Sequence, residues 1–149
     1  MALSATSRAP VGLLLLAHGP LASALRETLY RLEPDEPGEI GVLSLEWGEA
    51  PESASRRLEK AIAAADRGTG VVLLTDLFGG TPSNLALAFL EPGRVEIVSG
   101  VNLAMLIRAR ALAGDGRTAG EIAHALVERG RRAILAATDL VGGPPRSGT

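Results

Sequence analysis

Val11-Gly-Leu-Leu-Leu-Leu-Ala-His18 and Val71-Val-Leu-Leu-Thr-Asp76 are the two stretches that decide the fold. Each is an uninterrupted apolar run too short for a core helix, closed by Gly-Pro in one case and followed shortly by Gly-Gly in the other. Such runs are strands buried on both faces, the kind that parallel sheets covered by helices require. Each run also delivers a chemical group at its end, an imidazole at His18 and a carboxylate at Asp76. If the two strands are neighbours, those groups meet at the carboxyl edge of the sheet, where open α/β folds place their ligands.

Working outward, strands and helices alternate. The first strand, Val11 to Ala17, is followed from Pro20 by a helix whose Leu21, Leu25, Leu29 and Leu32 step down one face. The cluster Glu33-Pro-Asp-Glu-Pro-Gly38 stops it. A second strand spans Ile40 to Leu45, and Pro51 opens a helix with Ala54, Leu58, Ala61, Ile62 and Ala65 at helical spacing until Gly68. The third strand is Val71 to Thr75, and after the glycine loop Pro82 starts a short helix to about Phe89. Val95 to Val98 is a fourth strand, leading through Ser99-Gly-Val-Asn102 into a helix over Leu103 to Leu112. Thr118 with Glu121 reads as a capping box for a fifth helix to about Glu128. Ala133 to Ala137 reads as a fifth strand. The expectation is an α/β, doubly wound, mostly parallel sheet of order 2-1-3-4, with the fifth strand at an edge. In that order the switch point falls between the first and third strands, the two that carry His18 and Asp76.

The chain of 149 residues fits one domain over residues 10 to 138, with a loose N-terminus over 1 to 9 and a flexible tail over 139 to 149. A net charge of −2 and 3% aromatic residues give no basic field or stacking surface for nucleic acid. The absence of cysteine excludes disulfide scaffolds, thiolate metal sites and cysteine nucleophiles. No apolar run reaches the roughly 20 residues needed to cross a bilayer. Arg8, the run to Ala17, and Ala22-Ser-Ala24 mimic a secretory signal, but His18-Gly-Pro20 interrupts the apolar stretch before the small residues. A cytoplasmic location is therefore expected.

An imidazole whose one ring N–H is held by a carboxylate presents its other nitrogen as a nucleophile. The carboxylate also stabilises the positive charge that forms on the ring as phosphorus bonds to it. Phosphoryl transfer needs little more than such placement and charge stabilisation. Gly79-Gly80-Thr81 entering a helix offers backbone N–H groups to an anion, and Gly19 ahead of the helix opened by Pro20 offers the same beside the histidine. His18 and Asp76 are thus candidate catalytic residues, and Gly19, Gly80 and Thr81 candidate phosphate-binding ones. The glycine loop lacks the lysine of a nucleotide-binding P-loop, and no G-x-G-x-x-G follows the first strand. Neither a metal site nor a cofactor is expected. His124 falls in mid-helix with no chemical role, and Trp47 is read as packing after the second strand, with a partner contact open to it if exposed.

Three stretches, Ala17-His-Gly19, Asp76-Leu-Phe-Gly-Gly-Thr-Pro-Ser-Asn84 and Ser99-Gly-Val-Asn-Leu-Ala-Met-Leu106, resemble the mannose-type enzyme IIA domain of the bacterial phosphoenolpyruvate-dependent sugar phosphotransferase system. The resemblance covers about residues 10 to 138, and the second stretch is its most specific part. It implies that His18 is phosphorylated, that Asp76 orients it, and that Thr81 lies near the phosphoryl group. It also implies phosphate received from the phosphocarrier protein HPr and passed to enzyme IIB, here expected as a separate protein. Homodimers that exchange the fifth strand, Ala133 to Ala137, belong to the same implication. The surroundings of His18 differ slightly from sugar-transporting members, and a related branch serves dihydroxyacetone phosphorylation; the Gly-Gly-Thr-Pro loop favours the mannose type. Two other functions fit the residues: a regulatory protein whose His18 phosphorylation is sensed by a partner without sugar transport, and a flavodoxin-like module binding a small ligand.

Overall fold

The computed structural model describes residues 8–142. Ten elements follow one another: β1 (Gly12–His18), α1 (Leu21–Leu32), β2 (Gly41–Leu45), α2 (Pro51–Ala65), β3 (Val71–Thr75), α3 (Thr81–Leu87), β4 (Val95–Ser99), α4 (Leu103–Ala113), α5 (Ala119–Arg132) and α6 (Ala137–Leu140). The four strands form one all-parallel sheet of order β2-β1-β3-β4, the order expected from the alternation of apolar runs.

Period-two alternation sorts the strand residues onto two faces. Leu13, Leu15, Ala17, Val72, Leu74 and Val98 pack on one side with α1, α4 and α5, through Ala22, Leu29, Leu106, Leu112, Ile122 and Leu126. Leu14, Leu16, Leu43, Leu45, Val71 and Leu73 pack on the other with Ala54 and Leu58 of α2 and Ala86 of α3. Both faces of the central strands are therefore dry, which is why β1 and β3 read as continuous apolar runs. A side chain at Gly12 would collide with the Ala65 carbonyl, so glycine there lets the end of α2 lie against β1. The Thr118–Glu121 capping box is formed, with the Glu121 N–H donating to Thr118 Oγ1 at 3.2 Å and the Thr118 N–H to Glu121 Oε2 at 2.8 Å.

Two expectations change. His18 belongs to β1 itself, pairing with Leu45, instead of following the strand. The expected fifth strand is not formed: Ala133 caps α5, residues 134–136 have no regular structure, and Ala137 opens α6. Ile134 and Leu135 are exposed. Apolar, β-competent side chains make a strand only where an edge supplies ladder hydrogen bonds, and none of the four strands pairs with this run. The loose N-terminus expected over 1–9 lies mostly outside the described residues, as does the tail expected over 139–149, of which 139 and 140 complete α6.

Candidate functional site

The β1–β3 register ends at the pair Leu16–Thr75, and β1 continues past it to His18 while the chain after β3 turns at Asp76. That offset brings the two side chains together at the carboxyl edge. Asp76 Oδ2 lies 2.6 Å from His18 Nδ1 and accepts the His18 backbone N–H at 3.0 Å. Asp76 Oδ1 accepts the Leu77 N–H at 2.9 Å. Facing a carboxylate, Nδ1 carries the ring hydrogen, so Nε2 holds the lone pair. Burial pushes the Asp76 carboxyl up, but the His18 backbone N–H, the His18 ring and the Leu77 N–H outweigh it and hold the carboxyl below its usual range. The Asp76 side chain is 9% exposed and the His18 side chain 26%, so the carboxylate is enclosed while the imidazole still reaches solvent.

Beneath this pair Thr75 is fully buried; its hydroxyl shares a hydrogen bond of 2.8 Å with Ser99 Oγ, and its carbonyl accepts the N–H groups of Gly100 and Val101. The end of β3 is thereby fixed to the end of β4.

The glycine loop is built from inside. Gly79 has a φ of +83°, and its N–H donates to Ser83 Oγ at 2.8 Å. Ser83, buried in α3, donates in turn to the Gly80 carbonyl at 3.2 Å, and Asn84 Nδ2 donates to the Gly79 carbonyl at 3.3 Å. Gly80 has extended backbone, so its glycine character answers to space: a Cβ there would lie 3.0 Å from His18 Cε1. The Gly80 and Thr81 N–H groups find no acceptor among the described residues. Thr81, the first residue of α3, lines with His18 a groove of about 480 Å³.

Gly19 departs from the sequence expectation of a free donor. Its N–H is engaged by the Leu45 carbonyl at 3.0 Å, and its φ of +51° turns the chain from β1 toward α1. Its contribution is conformational.

Sequence reasoning left an exposed Trp47 open but did not connect it with His18. The indole, expected to pack after the second strand, is 77% exposed and stacks on His18, with ring centroids 5.8 Å apart and planes at 23°. The turn that presents it is braced by Glu49: Arg57 Nη1 donates to both Glu49 oxygens at 2.8 and 2.7 Å, Arg57 Nη2 to the Ser44 carbonyl, and the Glu46 N–H to Glu49 Oε2. A lone tryptophan gives no periodic signal, and only an acid and a base eight residues apart, Glu49 and Arg57, hinted at a braced turn. Leu77 and Phe78 are exposed beside the site. His124 is exposed on α5, its Nδ1 2.8 Å from the Gly120 carbonyl and apart from this cluster.

Residues 12–127 match the family model described as PTS system fructose IIA component. The chain belongs to this family. The resemblance read from the three motif stretches is borne out, and the protein is a phosphotransferase-system IIA component of the mannose/fructose type. A mannose-specific EIIAB component of Escherichia coli K12 is 27% identical over 127 residues, which cover 85% of this chain and 39% of that protein. The present chain thus spans well under half the length of that relative. A fructose-specific EIIA component of Bacillus subtilis 168 is 29% identical over 103 residues, covering 68% of this chain and 70% of that one. Among solved structures, the phosphotransferase EIIA component from Streptococcus agalactiae superposes with a TM-score of 0.76 at 19% identity, covering 87% of this chain and 98% of that one. The mannose/sorbose-specific IIA subunit from Enterococcus faecalis gives 0.75 at 23% identity, covering 93% and 99%. At those identities the IIA structures establish the shared fold. Among the described residues no group of three or more His, Asp or Glu stands close enough to hold a metal ion, and no helix is long and apolar enough to cross a membrane.

Proposed function

We propose that this IIA component is a cytoplasmic, homodimeric phosphocarrier that accepts a phosphoryl group from phospho-HPr on His18 and passes it to an enzyme IIB. The 2.6 Å contact between His18 Nδ1 and Asp76 Oδ2 carries this reading, because it leaves Nε2 as the one nucleophilic ring nitrogen. The Nε2 lone pair forms the new bond to phosphorus as the bond from phosphorus to the donor group on HPr breaks, and the donor leaves with that electron pair. The Nδ1 hydrogen stays between the ring and Asp76, whose negative charge offsets the positive charge spread over the phosphorylated ring. Gly80 and Thr81 are the donors for the phosphoryl oxygens, through their free N–H groups and the Thr81 hydroxyl. Gly19 serves by turning the chain. Onward transfer reverses these steps with a group on IIB as nucleophile.

The direct experiment is incubation with phosphoenolpyruvate, enzyme I and HPr, followed by mass measurement under non-acidic conditions. One acid-labile, base-stable phosphoryl group per chain is expected, lost in His18→Ala and retained in His124→Ala. Equal labelling of the two variants would overturn the assignment. Labelling of the wild type without onward transfer to an enzyme IIB would favour the reading in which the phosphorylation state itself is sensed.

A further inference from the structure

Asp76 holds the His18 ring at one atom, Nδ1, and Gly80, having no Cβ, leaves the space beside Cε1 open. A hydrogen bond at one ring atom leaves the imidazole free to rock about that contact, which moves Nε2, the atom farther from the bond. The indole of Trp47 lies over a ring face, and the same indole covers Gly19, where a Cβ would come 3.5 Å from Trp47 Cζ2. The indole, three-quarters exposed, thus lies against the segment carrying the nucleophile. The turn beneath it is tied down, since the Glu49–Arg57 ion pair, the Arg57 bond to the Ser44 carbonyl and the Glu46 N–H bond to Glu49 hold residues 46–49 to the end of β2.

We propose that Trp47 is a positioning residue for phosphoryl transfer, holding the plane of the His18 imidazole by stacking on its face. The proposal rests on the phosphocarrier reading above. Phosphorylation at Nε2, with the hydrogen kept on Nδ1, leaves a cationic ring, and an aromatic face attracts a cation. The stack therefore acts in the same direction before and after the chemistry. It restrains the neutral nucleophile and favours the phosphorylated ring. It leaves the binding of HPr to other surfaces, which separates it from a docking role.

The test compares wild type, Trp47→Leu and Trp47→Phe as full-length proteins, phosphorylated by phosphoenolpyruvate, enzyme I and HPr. Because the indole is exposed, Trp47→Leu removes little core packing, and thermal unfolding of the variant checks that the fold is kept. Trp47→Leu is expected to lower kcat about two- to fivefold with the KM for phospho-HPr unchanged, the size a partly exposed cation–π contact supports, and Trp47→Phe to restore most of it. The isolated phosphorylated Trp47→Leu protein is expected to lose its phosphate faster by a similar factor. A raised KM with kcat unchanged would make Trp47 a docking residue and overturn the proposal, as would full activity in Trp47→Leu. Failure to label the wild type at all would bring down the phosphocarrier reading along with it, whereas a labelled wild type matched by Trp47→Leu brings down this inference alone. Trp47 is the only tryptophan, so its emission is a second readout. A change on phosphorylation is expected in wild type and none in His18→Asn, and an emission blind to phosphorylation would also overturn the stack.

Discussion

One oxygen of Asp76 binds both the backbone and the side chain of His18, taking the main-chain N–H at 3.0 Å and Nδ1 at 2.6 Å. The ring orientation is thereby referred to the strand itself. Because β1 and β3 are adjacent, buried strands whose spacing is set by their ladder, the place of Nδ1 follows from the sheet, and what remains open is the tilt of the ring about that contact, on the face that Trp47 covers.

Asp76→Asn tests that arrangement. All three hydrogen bonds that reach the carboxylate come from N–H groups, two at Oδ2 and one at Oδ1. An amide placed there must turn its NH2 toward one set of donors, losing either the Leu77 bond or both His18 bonds. Loss of the charge also removes the partner of the developing imidazolium. Bonds to charged groups contribute about 1.5–3 kcal/mol, so transfer should slow roughly ten- to hundredfold in a protein that still folds. Rapid-quench measurement of phosphoryl transfer in a folded Asp76→Asn variant is the check, and a wild-type rate would remove Asp76 from the mechanism.

The same carboxyl predicts a dependence on acidity. Its folded value lies below the ordinary 3.8, so folding favours the ionised form. The associated stability is present in full above the ordinary value and is lost as pH falls through the lower, folded one. The difference in urea midpoint between wild type and Asp76→Asn should therefore hold steady from neutrality to about pH 4 and narrow below it. A gap that persists unchanged into stronger acid would show that the charge is not what stabilises the site.

Gly79 and Gly80 stand side by side for different reasons, and substitution separates them. Gly79 has a φ of +83° with open space where a Cβ would go, so Gly79→Ala should cost about 1–2 kcal/mol of stability through backbone strain. Gly80 has an extended backbone that alanine adopts freely, but its Cβ would press on His18 Cε1 at 3.0 Å. Gly80→Ala should unfold close to wild type yet accept phosphate several times more slowly, because displacing the ring misplaces the nucleophile. Thermal melts and initial labelling rates on the two variants decide the matter; the opposite pattern would mean that the His18 contact is slack.

Much of this was legible in the sequence, for physical reasons that can be named. The span of β3 was fixed by five consecutive apolar or β-branched residues, Val71–Thr75, bounded by Gly70 and Asp76. The start of α5 was fixed by the reciprocal hydrogen bonds that Thr118 and Glu121 can make only at a helix N-terminus. His18 and Asp76 could be paired because strand order places their ends together. The stack of Trp47 on His18 depends on the path of a four-residue turn, which periodicity does not encode. The engaged N–H of Gly19 and the inward hydroxyl of Ser83 are hydrogen-bond assignments between atoms, and residue type alone leaves them open.

The run after α5 gives the last prediction. Ile134 and Leu135 are exposed, Ile134 at 78%, although Ala133 to Ala137 reads as strand material, and Leu140 and Val141 beyond that run are exposed too. Among the described residues β2 pairs on one side only, as does β4 beyond Val95, which is bridged to Glu91, so the chain offers both an unpaired sheet edge and an unpaired apolar segment. Edges of this kind invite pairing with another chain, and an exchange of the same segment between two copies satisfies both at once. The family resemblance implies that exchange. Sedimentation at micromolar concentration should therefore give a dimer. Ile134→Asp with Leu135→Asp should shift it to monomer without loss of helix content, because both side chains are already outside the protomer core and their substitution leaves no internal cavity. A wild-type monomer, or a double variant that remains dimeric, would rule out exchange of this segment as the source of the assembly.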